Sequence, residues 1–235
     1  MPFYEGYNEM AGYAGSRGVV TAFHSFGASP MHFILRKLMG LADFYYTLTD
    51  CREEMLAFAR KVAVFYDASF RAAADSPAEI IMSGTNFNTI ITPPYFFEEF
   101  IREDMKSRAV YLEQKGKLLA AHPDGENTGL LELYRKSGMH IADSICPSPM
   151  TRLSLKEIRE VLGGDIAIFG GLPSICVLKN SMNDGVFRKL VDDSLESLGS
   201  GRRVVLSVSD TTPPDADLER VAYIAAKAQE FGPVG

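Results

Sequence analysis

The chain has 235 residues, 46% of them hydrophobic, with a formal net charge of -6 and a pI near 5.3. That is apolar material for one sizeable core, and the acidic balance argues against a phosphate backbone or an anionic membrane as main partner, since either needs a basic face. Three scattered cysteines without a CxxC pattern, no basic-then-apolar leader, and no apolar run near the ~20 residues that span a bilayer lead to the expectation of a soluble cytoplasmic protein with buried thiols.

Residues 1–17 are rich in Gly and Tyr without a clear period and are expected to be an irregular surface segment. The rest, 18–235, reads as one domain. Gly18 to Phe23 is a short β-type run, and Met31 to Gly40 has helical spacing. Asp50 opens a helix to about Ala73, with Glu53 as a capping-box partner. Its apolar positions Met55, Phe58, Ala59, Val62 and Phe65 recur every three or four residues. Ala78 to Met82 is a strand, followed by the polar loop Ser83-Gly84-Thr85-Asn86-Phe87-Asn88. Pro93-Pro94 starts a helix over 95–114.

Residues 117–122 form the next strand. It runs apolar through Leu118-Leu119-Ala120-Ala121 and stops abruptly in His122-Pro123-Asp124-Gly125-Glu126-Asn127. A helix over 129–136 ends at Gly138, and His140 to Asp143 is a strand. Ser154 caps a helix over 155–162, again with an acid, Glu157, three residues on. Ile166 to Phe169 is a strand leading into Gly170-Gly171, 184–198 a helix, Val204 to Val208 the last strand, and Asp215 to Phe231 the closing helix.

Six strands, each followed by a helix, imply parallel β-α-β units, and short apolar strands suit a sheet covered on both faces. No Gly-x-Gly-x-x-Gly follows any strand, so a dinucleotide-binding sheet has no support. The alternatives are a doubly wound sheet and a TIM-type (β/α)8 barrel; a full barrel needs eight strands, so one or two would be missing or hidden in residues 1–17. In such a barrel functional side chains collect at strand C-termini. Those ends supply His24, Asn86 with Asn88, His122 with Asp124, Asp143 with Cys146, Gly170-Gly171, and Ser207 with Asp210.

His122 and Asp124 are two apart, so on an extended segment they point the same way and can share a divalent metal, histidine being a common zinc ligand. Asp210 is the candidate third ligand, and an open fourth position would make the metal a Lewis acid. The bland reading is that His122 bonds a carbonyl, Asp124 caps the following helix and Asp210 caps the Thr-Thr-Pro-Pro turn. Asp124 and Asn86 are the catalytic candidates. Asn88, Phe87, Cys146 and Ser207 are the candidates for holding substrate. Cys146 also reads as a small buried hydrophobe, and the asparagines as turn residues. His140 begins its strand, on the barrel's stability face.

Thr92-Pro93-Pro94-Tyr95-Phe96-Phe97-Glu98-Glu99-Phe100, the strand with His122, Ile168-Phe169-Gly170-Gly171-Leu172-Pro173, and Val205 through Asp215 together resemble the uroporphyrinogen decarboxylase superfamily. Their order covers about 18 to 232. The resemblance implies a (β/α)8 barrel whose first segment has no counterpart here. It also implies one of two reaction types. The decarboxylase carries an arginine-rich N-terminal segment, whereas Arg17 is the only arginine in residues 1–17, and a histidine near the C-terminal strand end, where this chain has Ser209-Asp210. The cobalamin-dependent methyltransferases hold zinc with His-x-Cys and a later Cys. Here those positions read His122-Pro123-Asp124 and Asp210, with aspartate in place of both cysteines.

Harder ligands suit an oxygen-bearing substrate better than a thiol. The resemblance therefore leads to the expectation of a metal-assisted methyltransferase moving a methyl group between a small, methoxylated substrate and a corrinoid carried by a partner protein. The alternatives are a porphyrinogen decarboxylase, and a non-catalytic truncated barrel that binds a ligand, a partner chain or, as a homodimer, its own copy.

Overall fold

The computed structural model describes residues 3–25, 27–84 and 86–232. In chain order it forms α1 (Glu5–Ala14), β1 (Ala22–Ser25), α2 (Pro30–Phe33) running into a π-helical turn (Ile34–Leu38), α3 (Leu41–Asp50), α4 (Arg52–Ala74), β2 (Ile80–Ser83), α5 (Pro94–Phe100), α6 (Arg102–Glu113), β3 (Leu118–Ala121), α7 (Leu131–Lys136), β4 (Ile141–Ile145), α8 (Leu155–Leu162), β5 (Ala167–Pro173), α9 (Asp184–Ser197), β6 (Val204–Ser209) and α10 (Leu218–Phe231). The six strands form one parallel sheet in the order β1-β2-β3-β4-β5-β6. A doubly wound sheet reverses its strand order part-way; this one never does. The order is that of a partial TIM-like barrel. Among the described residues it stays open, with β1 and β6 as edges, so closure into eight strands is not formed.

Alternation along the strands directs one face to the helices. Ile81, Leu119, Ala121, Ala142 and Ile168 join Phe96, Phe97, Met105, Leu112, Tyr134, Ile158 and Leu162 in the main core. The other face is less covered than full burial on both sides requires: Phe23, Phe169 and Val205 are exposed, and Phe169 pairs in register with Val205. No helix among the described residues is long and apolar enough to cross a membrane.

Several local expectations are corrected. Residues 1–17 are not irregular: they hold α1 and a 3-10 turn over Gly15–Arg17. None of α1's residues is buried, so it carries no apolar stripe to read. The helix is docked by polar tips, Tyr4 Oη donating to the Ala72 carbonyl and Tyr7 Oη to that of Val20. Residues 41–50 are helical, burying Phe44 and Leu48. Asp50 therefore ends α3 rather than capping α4; Cys51 stands at the break, and no side-chain cap forms there. The helix over 95–114 is two helices broken at Ile101. The box at Ser154 and Glu157 forms with both reciprocal bonds, and Pro94 occupies the first turn of α5.

Candidate metal centre

The centre is built at the C-terminal ends of β3, β4 and β6. After Ala121 the chain turns at once: Asp124 N donates to the His122 carbonyl at 2.9 Å, a three-residue turn around Pro123. The two side chains are thus brought together by a turn rather than by the pleat of an extended strand. Gly125 follows at φ 118, and a Cβ there would stand 2.9 Å from Asn88 Nδ2 and 3.3 Å from the Phe87 carbonyl. Glycine lets the β3 loop lie directly against the β2 loop, where Thr89 N donates to the Glu126 carbonyl at 2.8 Å. Buried Asn127 ties the turn from below, donating to the carbonyls of Pro123 and Gly125.

β4 contains a bulge at Ser144, φ 59, so that Asp143 pairs with Phe169 and Ile145 with Gly170. Bulges re-aim side chains at strand ends. Asp143 Oδ2 lies 2.7 Å from His122 Nδ1. A carboxylate can only accept, so Nδ1 carries the proton and the Nε2 lone pair is left for a cation.

Asp210 follows the last residue of β6 in the left-handed region, φ 65. It is anchored by its buried neighbour Ser209, whose Oγ donates to the Ile145 carbonyl at 2.8 Å and accepts from Gly171 N at 3.3 Å. One hydroxyl thereby ties the ends of β4 and β6 to the interior of β5. Gly170, at φ 140, makes room for it, since a Cβ there would stand 2.9 Å from the Ile145 carbonyl oxygen and 3.1 Å from Ser209 Oγ. Gly170 and Gly171 thus lie inside β5 rather than in a loop after it.

The result is one histidine among three carboxylates. Asp210 Oδ1 is 3.4 Å from His122 Nε2, and His122, Asp124 and Asp210 each offer a donor atom within 4.8 Å of the others. Around a four-coordinate zinc, with ligand distances of 2.0–2.2 Å, donors sit about 3.4 Å apart. The His122–Asp210 pair already meets that separation, and the Asp124 donor lies within 4.8 Å of both. Among the described residues, this is the group of histidine and acidic side chains arranged to hold a metal.

Electrostatics agree with that donor set. Burial works against the His122 imidazolium, but the Asp143 hydrogen bond and the charges of Asp143, Asp124 and Asp210 outweigh it and raise its pKa. Burial first, and then the neighbouring Asp210, raise that of Asp124, against the lowering effect of His122 and Arg36. A proton on His122 therefore stabilises the metal-free fold. That increment is fully present below the unfolded pKa of about 6.5 and is lost as pH rises through the raised folded value. A divalent metal competes for the same lone pair, so its binding should tighten over that window. Melting curves of metal-free and zinc-loaded protein across it are expected to diverge with rising pH; parallel curves, or the same divergence in His122→Gln, would count against the coupling.

The other sequence candidates fall into different places. Asn86, in the left-handed region at φ 44, donates from Nδ2 to Asp124 Oδ2 at 3.3 Å, so it orients a carboxylate of the group. Asn88 uses Oδ1 to accept from Ile90 N at 2.9 Å and is a turn residue. Phe87, assigned to substrate, is fully buried among His32, Phe97 and Tyr134. It is a core side chain, packed on rings from α2, α5 and α7. Cys146 is only 3% exposed; burial, with Asp124 and Asp210 nearby, pushes its thiol up to about 12, which makes it a protonated hydrophobe beneath the group. Ser207 turns its Oγ to the Val208 carbonyl at 3.3 Å. His24 packs edge-on against Tyr66 and Phe70 and is held neutral by burial, down to about 4. His140 bonds Leu119 N and Glu113 at the opposite end of the sheet.

Sequence reasoning placed Asp143 at a strand end but gave it no role. The adjacent strand end, one β-α unit after His122, was the available signal.

No family model matches the sequence, and no curated protein does. Among solved structures, a methyltransferase from Methanosarcina mazei superposes with a TM-score of 0.72 over 96% of this chain, at 17% identity. This chain spans 62% of the length of that one. The two share a fold.

Proposed function

We propose that this chain is a metal-dependent methyltransferase domain of the uroporphyrinogen decarboxylase superfamily, built on a (β/α)8-type barrel and acting on a small methoxylated substrate. The observation that carries the reading is His122 held at Nδ1 by Asp143, with its Nε2 facing Asp210 and Asp124 beside it. A carboxylate–histidine pair of this kind is how proteins aim an imidazole at a metal. The likeness to a methyltransferase fold supports it, as do the sequence stretches that resemble the superfamily.

His122, Asp124 and Asp210 would hold the ion, Asp143 and Asn86 would orient His122 and Asp124, and Ser209 would fix the strand ends that carry them. When bound, a divalent metal supplies Lewis-acid polarisation of a substrate oxygen. Two carboxylates and an imidazole make a harder set than thiolates, which favours an oxygen substrate over a thiol. In the reaction the methyl–oxygen bond breaks, the methyl group passes to the acceptor, and the oxygen left behind takes a proton. A corrinoid carried by a partner protein as acceptor rests on the sequence resemblance. Decarboxylation of a porphyrinogen fits less well, because three aspartates around one histidine would repel a polycarboxylate.

Zinc-loaded protein mixed with reduced cob(I)alamin and small methoxylated compounds is expected to form methylcobalamin, followed by its absorbance. Asp124→Asn is expected to lower the rate at least about 100-fold, as loss of a charged group in a metal site does. Full activity in metal-free protein, or no transfer with any methoxylated compound, would sink the reading; release of carbon dioxide from uroporphyrinogen would favour the decarboxylase instead.

A further inference from the structure

The strands β5 and β6 begin at the end of the parallel sheet opposite the candidate metal centre. The loops that enter them, 163–166 after α8 and 198–203 after α9, border a cavity of about 520 Å³ lined by Arg159, Glu160, Gly163, Ser200, Arg202 and Arg203. Gly163 closes α8 in the left-handed region, φ 63, a turn that glycine makes without strain. Arg203 occupies the same region at φ 58 with a full side chain, a conformation that costs energy and collects at functional sites. The sheet holds it there: the Arg203 carbonyl accepts from Ile168 N at 2.8 Å, and Nη1 donates to the Asp165 carbonyl at 2.8 Å.

The chain as a whole is acidic, at -6, yet three guanidiniums and one carboxylate line this cavity. The carboxylates nearby are turned to other cations, Asp165 to Arg135 at 3.5 Å and Glu160 to Lys156 at 3.9 Å. Arg203 bonds a neutral carbonyl, and the side chains of Arg159 and Arg202 make no hydrogen bond and no ion pair among the described residues. Arg52, Arg102, Arg108 and Arg220, by contrast, each pair with a carboxylate. Arg159 is half-buried, so its unmet donors are partly withdrawn from water, which an anion would compensate. Guanidinium forks match phosphate oxygens in pairs. A phosphate monoester carries about two negative charges near pH 7, which balances three guanidiniums set against one carboxylate. A second cavity of about 600 Å³ adjoins the first, sharing Arg159, Glu160 and Ser200 and walled on its far side by Asp193 and Glu196. Each volume falls in the range of small-molecule sites, roughly 300–1,000 Å³.

We propose that this groove binds a small phosphorylated compound, the guanidiniums of Arg159, Arg202 and Arg203 taking its phosphate and the adjoining cavity its organic part. The site is separate from the metal centre and independent of that reading, since none of its residues belongs to the His122 group.

The test is calorimetric titration of inorganic phosphate, glycerol phosphate and nitrate into protein freed of metal by dialysis, in low-salt buffer without phosphate. Wild type is expected to bind both phosphates at one site, at least about tenfold tighter than the monoanion nitrate. Arg159→Ala and Arg202→Ala should each weaken phosphate at least about tenfold, as loss of a charged hydrogen-bond donor does. Arg202→Lys should lose less, since a point charge replaces a fork. Arg60→Ala removes an exposed arginine from α4 and controls for net charge; binding there should stay within about twofold of wild type. No saturable binding of phosphate by wild type, equal affinity for nitrate, or the same weakening in Arg60→Ala as in Arg159→Ala would overturn the site. Phosphate bound while glycerol phosphate is refused would overturn the assignment to a phosphorylated compound.

Discussion

Replacing His122 with alanine is expected to abolish stoichiometric zinc binding, weakening it by at least about 100-fold, while Asp143→Asn weakens it by about 10- to 100-fold. The two variants differ because their roles differ. His122 supplies the lone pair at Nε2; Asp143 only fixes the proton on Nδ1 through the 2.7 Å bond. In the Asp143→Asn variant the new side-chain amide can present its NH2 to Nδ1, which would reverse the tautomer and place a proton where the ion should sit. Chelator competition followed by elemental analysis reads both effects. Two results would remove the metal centre: wild-type protein that holds no more zinc than an unrelated control, and a His122→Ala protein that holds as much as wild type. Circular dichroism of each variant separates lost binding from lost fold.

The second large effect is on stability. Phe87→Ala is expected to cost about 3–5 kcal/mol, the range for emptying a buried aromatic site. Phe87 has no exposed surface and touches three rings, with centroid separations of 5.0 Å to Phe97, 5.5 Å to Tyr134 and 5.4 Å to His32. For a chain of this size such a loss lowers the melting temperature by roughly 10 °C. Phe87→Leu should recover much of it, since it refills most of the volume. Denaturant unfolding measures the difference. If Phe87→Ala melts like wild type but binds substrate poorly, the side chain belongs to the substrate after all.

Local pattern carried much of this fold. Alternation of short apolar strands with helices is a property of neighbouring residues, so the parallel β-α-β order was readable, as were the Ser154–Glu157 cap and the proline start of α5. The same locality explains what was not readable. α1 has no buried face, so no periodicity marks it; its docking rests on tyrosine hydroxyls reaching distant carbonyls. The breaks at Cys51 and Ile101 interrupt helices whose residues would each pass as helix formers, and packing decides where they bend.

The candidate centre divides the same way. The sequence by itself determined that His122, Asp124, Asp143 and Asp210 stand at or just past the ends of parallel strands, because apolar runs stop there and parallel strands share one C-terminal edge. Only the tertiary structure decided which of them meet. The turn around Pro123 joins His122 to Asp124, the bulge at Ser144 accompanies the pairing of Asp143 with His122, and the Ser209 hydroxyl holds Asp210 at the same edge. It also decided that Phe87 points into the core. The physical reason is that a strand end's position follows from chain pattern, whereas the direction of its side chain depends on turns, bulges and hydrogen bonds made with other strands.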